Sequence, residues 1–70
     1  MSTILNTVET KTIGGYRFGI DTVDDPDFPF VVTVDDGAGD FLEYEGATSQ
    51  EEAAQIMDQF IADYTQEERS

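Results

Sequence analysis

Seventy residues with sixteen acids, three bases and a formal charge of -13 are expected to make one small acidic domain over residues 1–70. The chain has no cysteine, which excludes disulfides and thiolate metal sites, and no histidine, which removes the commonest general base and transition-metal ligand. A chain this short buries only about 60% of the surface its unfolded form exposes, so the core must hold by apolar packing, and the 39% hydrophobic and 11% aromatic content argues for a folded domain over a disordered chain.

From the N-terminus, Thr7 to Ile13 alternates and is rich in threonine and β-branched residues, which predicts a first strand over 7–13. Gly14-Gly15 supplies the positive φ angles of a tight hairpin loop. A second strand over 16–21 follows, with Tyr16, Phe18 and Ile20 on one face. Asp24-Asp25-Pro26-Asp27-Phe28-Pro29 reads as a connection, because proline cannot donate to a ladder and aspartate favours turns. Phe30 to Val34 is a third strand, with Phe30, Val32 and Val34 on one face and Val31 and Thr33 on the other. The glycine-rich turn Asp35-Asp36-Gly37-Ala38-Gly39-Asp40 leads to a fourth strand over 41–45. There Leu42 and Tyr44 are expected to face inward, opposed to Phe41, Glu43 and Glu45.

Ser49-Gln50-Glu51-Glu52 fits a capping box, in which Ser49 accepts from an orphan N–H and Glu52 reaches back to the cap residue. A helix over 50–64 follows, with Ala53, Ile56, Met57, Phe60, Ile61 and Tyr64 as its apolar stripe. Residues 65–70 are expected to fray. The expected fold is α+β: an antiparallel β-meander of three to four strands covered on one face by a single C-terminal helix. Its core is expected to hold Val8, Tyr16, Phe18, Ile20, Phe30, Val32, Val34, Leu42, Tyr44, Ile56, Met57, Phe60 and Ile61.

The charge is uneven. Residues 1–20 sum to +1, residues 21–45 hold nine acids and no base, and residues 46–70 sum to -5. A catalytic carboxylate pair needs a cleft that desolvates one member, and these acids lie mostly in turns where water keeps them ionised. No serine–histidine or cysteine–histidine arrangement can form. Gly14-Gly15 lacks the further glycines of a phosphate loop. The acids Asp35, Asp36, Asp40 and Glu43 suit a hard cation by chemistry but not by spacing. An EF-hand read from Asp36 puts Phe41 at the glycine position, and one read from Asp21 puts Pro26 there. No catalytic residue, metal site or cofactor is therefore expected.

What remains is a binding surface. Residues two apart on a strand lie about 6.6–6.8 Å apart on one side, close to the step between phosphates along a nucleic-acid strand. With Glu43 and Glu45 on the open face, the expected partner-binding set is Asp24, Asp25, Asp27, Asp35, Asp36, Asp40, Phe41, Glu43 and Glu45. Phe41 is either an exposed apolar anchor among these charges or packed under Ile4 and Leu5; the residues leave both open. Such a surface repels nucleic acid and attracts basic proteins. The expected partner is a nucleic-acid-binding protein, with no direct binding to nucleic acid. A monomer and a homodimer through Phe41 and Val31 are both compatible with the pattern.

The plan of short strands, Gly14-Gly15 hairpin, acidic middle and capped helix Ser49-Gln50-Glu51-Glu52 resembles the small phage-encoded anti-CRISPR proteins, many of them short, cysteine-poor and acidic. The resemblance implies a CRISPR effector subunit as partner, with acids meeting the lysines and arginines that otherwise hold DNA phosphates. The family has no common motif, so it assigns no individual residue. The alternative is a halophile's domain, acidic for solubility in a salty cytoplasm, with a structural or interaction role. No stretch approaches the about 18 apolar residues of a membrane span, and Met1-Ser2-Thr3-Ile4-Leu5 lacks a signal peptide's basic start. A cytoplasmic setting, that of the host cell if the protein is phage-encoded, and no membrane partner are expected.

Overall fold

Alternating apolar residues need a cover on one side only, and the chain supplies it with one helix on one sheet. The computed structural model describes residues 4–65. Strands β1 (Ile4–Ile13), β2 (Tyr16–Val23), β3 (Phe30–Asp35) and β4 (Phe41–Ala47) form an antiparallel sheet in the order β1-β2-β3-β4, followed by helix α1 (Gln50–Thr65). This is the α+β meander expected from the sequence. Each strand runs one to three residues beyond its expected bounds, and the expected frayed tail lies, from residue 66 on, outside the described residues.

Gly14 and Gly15 both take positive φ, 60° and 85°, as the two-residue loop requires. In β2 and β3, Phe18 lies opposite Val34 and Ile20 opposite Val32, so four apolar side chains share one face. All four are buried, with Ala47, Ala53, Met57 and Phe60, under α1, which lies on β2, β3 and β4. Tyr16, Phe30, Ile56 and Ile61 are half-buried around this cluster.

The helix start departs slightly from the expected box. Ser49 Oγ accepts from Glu52 N at 3.1 Å as anticipated. The Glu52 carboxylate, however, reaches past Ser49 to Thr48 and accepts from its N–H at 2.6 Å and its hydroxyl at 2.8 Å. Those two bonds hold the Glu52 carboxyl below its ordinary value, because both favour the charged form.

Three expected core residues are exposed: Val8, Leu42 and Tyr44. Val8 falls at a register shift of β1, between Thr7 and Glu9, on the edge strand farthest from the helix. Leu42 falls at the register shift of β4. Tyr44 pairs with Thr33, on the side of the sheet away from α1. The parity of β4 is instead fixed by Ala47, which pairs with Phe30 and is fully buried. Ala47 and Ala53 are core residues the sequence reading missed, because their smallness hides them in a hydrophobicity pattern. They sit where the chain leaves the sheet for the helix, and small side chains there let the two approach.

Candidate protein-binding surface

The second face of the sheet has no helix over it. Pairing places Ile4, Thr7, Thr10 and Thr12 of β1 on this face beside Arg17, Gly19, Asp21 and Val23 of β2. Val31, Thr33 and Asp35 of β3, then Phe41, Tyr44 and Gly46 of β4, continue it. The face divides in two. Toward the β2–β3 connection it is apolar, and Ile4, Val23, Phe28, Val31, Phe41 and Tyr44 line a concavity of 480 Å³ with Asp25 at its rim. Toward the Gly14-Gly15 hairpin it is more polar, with Thr7, Thr10, Arg17, Asp21 and Asp35 around a smaller hollow that Phe41 also lines, so this ring stands between the two halves.

Phe41 is 68% exposed and Tyr44 73% exposed. Of the two readings of Phe41, the structure therefore selects the open one: Ile4 lies along the same concavity but does not bury the ring. Phe28 reaches this face from the connection and covers Gly46. A Cβ at Gly46 would come within 3.0 Å of the Phe28 Cβ, so the bare backbone is what seats that ring. Sequence reasoning missed Phe28, Ile4, Val23 and Tyr44 as members of this surface. The only signal for Phe28 was an aromatic residue between two prolines.

The acids are placed differently from one another. Asp35 is buried, 6% exposed, and is the one charged residue in that state among those described. Its Oδ2 accepts from Arg17 Nε at 3.2 Å across the β2–β3 pair, and its Oδ1 accepts from Gly37 N at 2.8 Å. Expected as a presented carboxylate, Asp35 instead pins the β3–β4 turn. Its neighbour Gly37 must be glycine twice over: φ is 81°, and a Cβ would meet Gly15 O at 2.7 Å.

Asp36 and Asp40 are exposed in that turn, where Asp36 Oδ1 accepts from Ala38 N at 2.8 Å and Asp40 N at 3.3 Å. At the other end of β3, Asp25 Oδ1 accepts from Asp27 N at 2.9 Å and Phe28 N at 3.3 Å, while Asp24 and Asp27 are exposed. The two acidic turns thus lie at opposite ends of β3, with exposed aspartates in each.

Glu43 and Glu45 require a correction. They were expected on the open face with Phe41; they pair with Val34 and Val32 and so lie on the helix side. At the sheet edge that side is not dry, and both are exposed. Glu43 Oε1 accepts from Tyr64 Oη at 3.0 Å. Tyr64 also packs on Tyr16, ring centroids 5.3 Å apart, and on Phe18 at 6.4 Å. Burial first, then the bond to Glu43 and its charge, push the Tyr64 hydroxyl above its ordinary value.

Among the described residues no three acidic side chains converge as metal ligands, and no helix is long and apolar enough to cross a membrane. No family model matches the chain, and no curated protein or solved structure matches it significantly.

Proposed function

We propose that this domain is a non-catalytic binding module that docks on a basic protein, in its most specific form an inhibitor occupying the nucleic-acid-binding surface of its target. The observation that carries the reading is the open sheet face. Phe41 and Tyr44 stand exposed beside an apolar concavity, with exposed aspartates at both ends of β3. An apolar anchor supplies affinity, and acids flanking it at both ends steer a partner of the opposite sign. Lysines and arginines that hold phosphates offer the complementary charge. A CRISPR effector subunit is the narrowest partner of this kind, and it rests on the anti-CRISPR resemblance alone.

A second reading is favoured by one observation. Acids are not confined to the open face: Glu51, Asp58 and Asp63 are exposed on α1. A domain adapted to high salt would carry acids on every side. Capture assays with purified nucleic-acid-binding proteins, CRISPR effector complexes among them, test the first reading at graded salt. A stoichiometric complex that excludes DNA and dissolves as salt rises supports it. No capture at any salt ends it. Salt adaptation instead predicts a large rise in melting temperature between dilute buffer and molar KCl.

A further inference from the structure

The two edges of the sheet are not equivalent. β1 is interrupted by two register shifts, between Ile4 and Asn6 and between Thr7 and Glu9, which bend an edge and spoil it as a template. β4 has a single shift, at its start, between the Val34 and Asp35 pairings, and then runs in regular register from Glu43 to Ala47. It contains no proline and no lysine, and the guards it does carry, Glu43 and Glu45, are of one sign, so they turn away acidic strands and not basic ones. Among the described residues no strand lies on its outer side.

The side chains of this open edge are sorted by face. Glu43 and Glu45 project on the helix side, and Tyr44 on the other with Phe41. A second copy of β4 laid antiparallel about Tyr44 would set Glu43 directly opposite Glu45 twice over, a like-charge arrangement that destabilises a ladder. The same glutamates attract a strand with bases at alternate positions. We propose that the outer edge of β4 receives an extended basic segment of a partner protein as a fifth strand. Its lysines or arginines lie opposite Glu43 and Glu45, and its intervening apolar residues lie beside Tyr44. Backbone hydrogen bonds supply the docking and alternate side chains the selectivity. The proposal rests on the reading of the domain as a binder of basic proteins and names how the partner is held.

The probes are a capped peptide of alternating lysine and valine, its glutamate–valine counterpart, and a lysine–valine peptide N-methylated on one edge. The unmodified lysine–valine peptide should bind the intact protein and slow hydrogen exchange at amides within 43–47. The N-methylated peptide should not bind. In E43K/E45K the lysine–valine peptide should weaken by about tenfold and the glutamate–valine peptide should gain binding. E45K alone leaves the Tyr64–Glu43 bond in place and should move both affinities in the same directions, so a misfolded double variant does not decide the matter.

Unchanged exchange in β4, equal binding of the N-methylated peptide, or no peptide binding overturns the proposal. The broader reading fails separately. Salt-sensitive capture of an intact nucleic-acid-binding protein that survives E45K would keep that reading while ending the edge proposal. Peptide pairing without any such capture would do the reverse.

Discussion

The two faces of one sheet carry different chemistry on the same four strands. On the covered face Phe18, Ile20, Val32 and Val34 interlock beneath Met57 and Phe60 and are shut off from water. On the open face Val31, Phe41 and Tyr44 are comparably apolar yet line a surface hollow. Composition alone therefore does not separate core from surface here. What separates them is the reach of one 16-residue helix, which covers β2, β3 and β4 on a single side. A sheet of this size with one helix leaves its second face to water or to a partner.

The largest expected effect is on the covered face. Phe18→Ala removes a fully buried ring that also packs on Tyr16 and Tyr64. It should cost about 3–5 kcal/mol, most of the stability of so small a domain, and urea unfolding should show little folded protein left. A cooperative transition near that of the parent would mean that the helix-covered face is not the core. Next is Asp35→Ala, which strips the buried acceptor from Arg17 and Gly37 and should lower stability by about 1–3 kcal/mol. Were Asp35 a presented contact residue only, denaturant midpoints would not move. Third is the open face: Phe41→Ser with Tyr44→Ser should change stability by no more than about 0.5 kcal/mol while reducing capture of a basic partner. Loss of folding in that variant would show that the two rings support the sheet and do not serve docking.

The contrast between faces also marks how far the sequence could be read. Alternation in β2 and β3, the Gly14-Gly15 loop and the Ser49–Glu52 cap each carry a local physical signal, and each leads to the observed element. The parity of β4 carries none. At this edge strand residues 41–45 are exposed on both sides, so glutamates and aromatics are tolerated on either, and alternation cannot say which faces in. The register shift at Leu42 further uncouples Phe41 from Glu43, and the residue that fixes the parity, Ala47, lies past the expected end of the strand. For the surface, the exposed acids of the two turns were legible as charge. Asp35 was not, because a partner 18 positions away, Arg17, decides its burial. Phe28 on Gly46 is likewise a tertiary contact, joining a loop to the far edge strand.

The smallest effect expected is at the helix start, and it isolates one acid from many. Glu52 in the folded protein has its pKa lowered below the ordinary 4.5 by Thr48. A carboxyl with a depressed folded pKa contributes stability that is present above its unfolded pKa and is lost as pH falls through the folded one. Acid also reduces the overall repulsion of a chain of net charge -13, an effect of the opposite sense. The acid limb of the parent alone is therefore not diagnostic. Glu52→Gln keeps an acceptor at the cap but removes the charge, and the repulsion is nearly common to both proteins. The difference between their melting temperatures should be constant near neutrality, begin to shrink near pH 4.5 and vanish at lower pH. A difference that persists at low pH would mean that the residue acts through shape and not through the charged hydrogen bonds to Thr48. A neutral-pH difference of zero would mean that Ser49 alone caps the helix.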